Sequence, residues 1–167
     1  MADSIQLAAL ISQQAQAQGV PPAIALAVAK QESGISQWNP NGTLVTGSSG
    51  EIGVFQLMPA TASGLGVDPT DVNQNIQGGI TFLAQLFQRY GNWAQALSAY
   101  NSGSPTGSPG YANSVLAIAG SVAPPSPDAA LAVDSGDSAA VSGPQVSGLV
   151  IGAAILGGVA LAWWALD

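Results

Sequence analysis

The sequence predicts a mainly α-helical protein in three parts. A folded helical domain with a small loop or hairpin region covers residues 1–120, a linker covers 121–147, and a C-terminal transmembrane helix covers 148–166. Three observations carry this reading. Apolar residues before position 120 recur at spacings of three and four, the period of a helix with one buried face. From Ser121 to Ser147 the composition shifts to Pro, Ser, Ala, Gly and Asp, headed by Pro124-Pro125-Ser126-Pro127. Such a stretch cannot bury a core and reads as a tether, stiff at first and then flexible. Finally, Gly148 to Leu166 runs nineteen residues without a charge, a proline or a strongly polar side chain. As a helix that is long enough to cross roughly 30 Å of hydrocarbon.

Each helix has its own start and stop signals. Asp3 or Ser4 can cap a first helix that runs to Gln18 and stops at Gly19. Pro21 and Pro22 open a second helix, where a missing N–H costs little, and it ends near Ser33. The stretch from Ser36 to Gly53 is rich in Gly, Ser, Asn and Thr, so it reads as loop or short hairpin. A short helical turn begins at Pro59 and stops at Gly64. Ile76, Ile80, Leu83, Phe87 and Tyr90 then give the strongest helical stripe, closed by Gly91. Trp93, Leu97 and Tyr100 continue it in a further helix ending at Asn101-Ser102-Gly103, and Tyr111 to Ala119 makes a last apolar helix.

In the C-terminal segment, Trp163 and Trp164 have the placement of an interfacial aromatic anchor. Gly148/Gly152, Ala153/Gly157 and Ala154/Gly158 are small pairs at four-residue spacing, suited to close helix packing. No Lys or Arg flanks the segment to orient it. The start, Met1-Ala2-Asp3-Ser4-Ile5-Gln6, has neither a basic region nor a long apolar run, so no secretory signal peptide is expected there.

Composition narrows the chemistry. A formal charge of -7 arises from nine acids against Lys30 and Arg89. So few cations leave nothing to neutralise phosphates, which argues against nucleic acid as a partner. The chain has no Cys and no His, so thiolate and imidazole metal sites are excluded and no disulfide forms. No clustering of acids suggests a metal, and no cofactor is implied.

Acid–base chemistry near neutral pH therefore falls on few groups, and Glu32, one of two glutamates, is the first candidate. Ile24, Val28 and Glu32 form one helix stripe that Ala25 and Ala29 widen, while Lys30 lies roughly opposite. A carboxyl on an apolar face without a cation holds its proton to higher pH, as a general acid must. The other reading puts Glu32 just past the stripe, solvated where the helix ends at Gly34.

Four segments line up in order: Gln31-Glu32-Ser33-Gly34; Gly50-Glu51-Ile52-Gly53-Val54-Phe55-Gln56-Leu57-Met58-Pro59-Ala60-Thr61-Ala62; Asn75-Ile76-Gln77-Gly78-Gly79; and Ala99-Tyr100-Asn101-Ser102-Gly103. Over roughly residues 4 to 118 they resemble the lytic transglycosylase domain of the soluble-transglycosylase type, a relative of goose-type lysozyme. The resemblance implies a lysozyme-like helical fold with a substrate groove, and peptidoglycan glycan strands as the partner. Glu32 would be the catalytic acid/base, cutting between N-acetylmuramic acid and N-acetylglucosamine to leave a 1,6-anhydro sugar. Gln56 would lie in the groove near the reacting sugars and the Tyr100 hydroxyl by the glutamate. Asn101 would hold the following turn or touch substrate. On periodicity alone Tyr100 is core and Asn101 a helix stop.

Two departures from the family pattern concern the loop. The family has a substrate-binding or glutamate-orienting serine where back-counting from Gly50 lands on Gly47, so Ser48 or Ser49 is expected to take that role. Glu51 stands where the family is often small and apolar. It is either a solvated loop residue or a second carboxylate facing the cleft, which would favour a hydrolytic lysozyme. An anchored wall-cleaving domain without a signal peptide suggests a component of a bacteriophage virion, carried to the cell wall by the particle among other virion proteins. The alternatives are a hydrolytic lysozyme and a non-catalytic structural membrane protein of the virion.

Overall fold

The computed structural model describes residues 4–121, and six α-helices carry this part of the chain: α1 (Ser4–Ala17), α2 (Pro22–Ser33), α3 (Pro59–Leu65), α4 (Val72–Tyr90), α5 (Trp93–Ser102) and α6 (Pro109–Ser121). The expected linker beyond Ser121, the transmembrane helix over 148–166 and the Asp3 cap lie outside the described residues. Among the described residues no helix is long and apolar enough to cross a membrane. Ser121, expected as the first linker residue, closes α6.

The order of packing follows from which helices are apolar on which sides. Ile24 to Ala29 are all buried, six in a row, so α2 is enclosed on every side rather than along one stripe. It packs on α1 on one flank and α6 on another; α6 in turn lies on α5, and α5 on α4. Small residues make this possible, since Ala25, Ala27 and Ala29 let neighbouring backbones come close. The core joins Leu7 and Ile11 of α1, Ile76, Ile80 and Leu83 of α4, Leu97 of α5 and Val115 of α6, with Phe55 and Leu57 inserted from the loop before α3.

Several predicted boundaries move: α1 ends at Ala17 rather than Gln18, and α6 spans Pro109–Ser121 rather than Tyr111 to Ala119. α3 runs through Leu65 and is closed by Gly66 in the left-handed region, not by Gly64, because Gly66 can take φ of 70° and return its N–H to Ala62 and Ser63 carbonyls. α4 begins a turn before Ile76, where Asp71 caps it by accepting from the Gln74 N–H at 2.9 Å.

The segment from Ile35 to Met58 contains no strand. It is held by isolated antiparallel bridges, Trp38 to Leu44, Thr46 to Ile52 and Ile52 to Leu57. The rest of its order comes from buried amide side chains. Gln37 accepts from Val54 N–H at 2.9 Å and donates to the carbonyls of Pro69 and Thr70. Asn75 of α4 accepts from Phe55 N–H at 2.9 Å and donates to the carbonyls of Ile52 and Pro69. Gly53, at φ of 78°, makes room for both, since a Cβ there would stand 2.3 Å from Gln37 Oε1 and 2.5 Å from Asn75 Nδ2. Gly79 does the same for the Phe55 ring, whose Cγ lies 2.2 Å from where its Cβ would be. The segment 52–57 is thus a strap pinned to α4 from behind.

Candidate active site

Glu32 stands in the last turn of α2. The helix stops there because Gly34 takes φ of 68° and returns its N–H to the Lys30 carbonyl, and Ile35 follows at φ of 61° with its N–H on Ala29. Two left-handed residues in succession turn the chain sharply away from the helix axis. Ser33 fastens this end to the strap: its hydroxyl donates to Val54 O at 2.9 Å and accepts from Ser36 N–H.

The carboxyl is half-buried, which decides between the two sequence readings in favour of the enclosed one. Its hydrogen-bond partner is the Tyr111 hydroxyl of α6, which donates to Glu32 Oε1. Burial holds the Glu32 pKa above the ordinary carboxylate value; the Tyr111 bond pulls it partly back, and the charge of Glu51 pushes it up. The negative end of the α2 dipole acts in the same upward sense. Lys30, exposed on the far side of the helix, supplies no counter-charge.

Tyr100 sits one helix away on α5. Its hydroxyl donates to Phe55 O at 2.7 Å, and its ring leans on Phe82 with centroids 5.3 Å apart. Burial and the nearby Glu32 charge raise the pKa of both Tyr100 and Tyr111, so both remain neutral donors at any physiological pH. Tyr100 is therefore near the glutamate in charge terms, while its own bond ties α5 to the strap.

Gln56 lies at the strap's front with φ of 45°, and its Nε2 donates to Gly53 O at 2.8 Å and Val45 O at 3.3 Å. Glu51 folds back over the loop tip, where its Oε2 accepts from Ser49 N–H at 3.0 Å. Its own and Ser49's backbone N–H groups hold it below the ordinary carboxylate value. Ser49 thus touches Glu51, whereas Ser48 is exposed and makes no side-chain hydrogen bond among the described residues. Asn101 is exposed, and its Oδ1 accepts from the Ser108 hydroxyl at 2.8 Å, which fixes the turn between α5 and α6. The loop therefore brings Glu51 and Gln56 together, while Ser48 and Asn101 stand apart from them.

Tyr111 is the residue that sequence reasoning passed over as the start of an apolar helix. A signal existed: it is the one side chain with a polar tip and an aromatic body in a turn otherwise of small residues, and a buried tyrosine hydroxyl needs a partner. No group of three metal-binding side chains gathers among the described residues.

Residues 9–108 match the family model described as the transglycosylase SLT domain. The chain belongs to this family. Among curated proteins, the SLT chain is 44% identical over 73 residues to a transglycosylase of Enterobacteria phage PRD1, covering 42% of this chain and 28% of that one. It is 42% identical over 86 residues to the membrane-bound lytic murein transglycosylase F of Yersinia enterocolitica, covering 46% of this chain and 16% of the relative. The SLT chain thus spans less than a third of the length of either relative. Among solved structures it resembles an inactive mutant of the lytic transglycosylase Slt of Pseudomonas aeruginosa, with a TM-score of 0.56 and 22% identity over 66% of this chain and 23% of that one. That likeness speaks for the mainly helical fold.

Proposed function

We propose that this SLT domain is a peptidoglycan lytic transglycosylase with Glu32 as its single acid/base. The observation that carries the reading is the state of Glu32: half-buried in the last turn of α2, facing no cation, and held by a neutral tyrosine. Such a carboxyl is protonated where an ordinary one is ionised, and so can give its proton to a glycosidic oxygen. The bond from the muramyl anomeric carbon to that oxygen breaks, and the leaving sugar departs with the proton. Glu32, now a carboxylate, takes the proton of the muramyl 6-hydroxyl as that oxygen bonds to the anomeric carbon. One proton is given and one returned, no water is consumed, and a 1,6-anhydro ring remains. The substrate's own N-acetyl group can assist departure, so a second catalytic carboxylate is unnecessary. Tyr111 positions Glu32 and steadies its ionised form between the two steps.

The whole chain is read as this domain over 1–120, a linker over 121–147 and a membrane anchor over 148–166. Used from a phage particle, it would open the wall for penetration; the likeness to a phage transglycosylase supports that use. Digestion of purified peptidoglycan by the full chain, followed by mass spectrometry of the products, tests the chemistry. Anhydro-muropeptides are expected, and none from Glu32→Gln. Ordinary reducing ends would make it a hydrolase with Glu51 as the second carboxylate, and intact glycan would leave a structural role. Detection in purified virions tests the setting; presence only in host membranes would sink it.

A further inference from the structure

The tip of the loop between Thr46 and Ile52 is built around an absent side chain. Gly50 N–H returns to Gly47 O at 3.2 Å and Gly47 N–H to Glu51 O at 2.8 Å, so the chain reverses within five residues and directs Glu51 back over Gly47. A Cβ at Gly47 would stand 2.2 Å from Glu51 Oε2 and 2.9 Å from Gln56 Oε1. The carboxylate fills the volume that a side chain at 47 would take, and the Gln56 carboxamide oxygen faces the same point.

This arrangement is odd for a free surface glutamate. An ionised, partly exposed carboxylate gains most by extending into water, and folding it back orders a side chain with many rotamers. The cations that could attract it are elsewhere: Lys30 is exposed on the far side of α2, and the Arg89 guanidinium lies over the Tyr90 ring at 5.6 Å. Gln56 has committed its Nε2 to Gly53 and Val45 carbonyls, which leaves its oxygen turned toward the carboxylate. Two acceptor oxygens therefore face one point: Ser49 and the Glu51 N–H serve the carboxylate from the protein side, while the Gln56 oxygen accepts from no donor among the described residues. Acceptors crowded in this way are satisfied by a donor from outside.

We infer that Glu51, lodged over Gly47 beside Gln56, is a substrate-positioning residue that accepts a hydrogen bond from an N–H or O–H of the sugar bound against Glu32. The inference rests on the transglycosylase reading above and names what the loop adds to it. Glu51 selects and orients a donor-bearing sugar such as an N-acetylated one, and takes no proton in the reaction. Its charge also reaches Glu32 and favours the protonated acid in the free enzyme.

The test uses the full chain on soluble uncrosslinked glycan strands, with KM, kcat, product masses and melting temperature for the unsubstituted protein, Glu32→Gln, Glu51→Ala and Gly47→Ala. Gly47→Ala keeps the Glu51 charge but displaces its carboxylate, and Gly47 has ordinary φ, so an alanine is not strained there. Both Glu51→Ala and Gly47→Ala should raise KM about tenfold, the worth of one hydrogen bond to a charged group. Their kcat, anhydro products and melting temperature should stay close to those of the unsubstituted protein. An unchanged KM in Glu51→Ala overturns the inference while leaving the Glu32 reading intact. A kcat as low as that of Glu32→Gln, or a switch in product, also overturns it by placing Glu51 in the chemistry. An inert unsubstituted protein, or a Glu32→Gln variant as active as the unsubstituted protein, refutes the Glu32 reading and the inference with it.

Discussion

Replacing Asn75 by leucine should unfold the strap from behind, and the structure says by how much. Asn75 makes three bonds, at 2.9 Å from Phe55 N–H and at 2.8 and 2.9 Å to the carbonyls of Ile52 and Pro69. Leucine has nearly the same shape, so the packing loss is small and the polar accounting decides. Ile52 O keeps the Leu57 N–H at 3.0 Å, and Pro69 O keeps Gln37 Nε2 at 3.0 Å. Phe55 N–H loses its acceptor altogether and sits in the core. One orphaned donor costs about 1–3 kcal/mol and each of two lost bonds about 1 kcal/mol, so about 4 kcal/mol in all. For a domain of this size that is about 15 °C in melting temperature. Asn75→Asp separates this account from a general intolerance of substitution. Its Oδ1 still accepts from Phe55, but its second oxygen now faces two carbonyls. That repulsion and burial raise the new carboxyl's pKa above its unfolded value of about 3.9. With the folded pKa raised, stability is highest below the unfolded value and is lost as pH climbs through the folded one. Urea unfolding at pH 4 and pH 7 is the assay. Asn75→Asp should be less stable at pH 7 than at pH 4 relative to the unsubstituted protein, and Asn75→Leu equally weakened at both. A loss under 1 kcal/mol for Asn75→Leu would refute the reasoning.

Other substitutions probe the site and the packing around it. Glu32→Gln should lower activity at least about 100-fold, yet stabilise the fold near neutral pH. The raised Glu32 pKa means stability falls as pH rises from the unfolded value through the folded one, and glutamine removes that loss. Thermal melts from pH 4 to 8 should show the two proteins diverging as pH rises; parallel curves would deny that the carboxyl is desolvated. Tyr111→Phe deletes the donor to Glu32, so the basic limb of the kcat/KM profile should move to higher pH and the maximum fall about tenfold. An unmoved basic limb would show that Tyr111 leaves the ionised acid unsupported. Gly79→Ala would drive a Cβ to 2.2 Å from Phe55 Cγ. Because that ring is fully enclosed, calorimetry should find about 3 kcal/mol of destabilisation.

The helices were legible because their buried faces obey one local period. Ile76, Ile80 and Leu83 needed only their own spacing to be placed in the core, and all three are fully buried. Glu32 was legible for the same reason, as the next position on the Ile24–Val28 stripe. The loop was not. Gln37 lies among Ser, Asn and Gly, where nothing local separates a buried amide from a solvated one, and its partners Pro69 and Thr70 are more than thirty residues away. Glu51 was visible as an anomaly, but its direction depends on the turn at Gly47–Gly50 and on the missing Cβ beneath it. Asn101 looked equally suited to substrate or to a turn, and its bond to Ser108 shows the contact that holds the turn.

The tyrosine that holds the acid lies past the end of the matched family segment. Residues 9–108 carry Glu32, the strap and Tyr100, but Tyr111 and the whole of α6 follow them. A fragment cut at 108 would keep every recognised motif, yet strip one flank of α2 to solvent and leave the glutamate without its donor. The unit that motifs define and the unit that can hold a proton therefore differ by one helix. Any transplant of this domain onto another protein must carry that helix along.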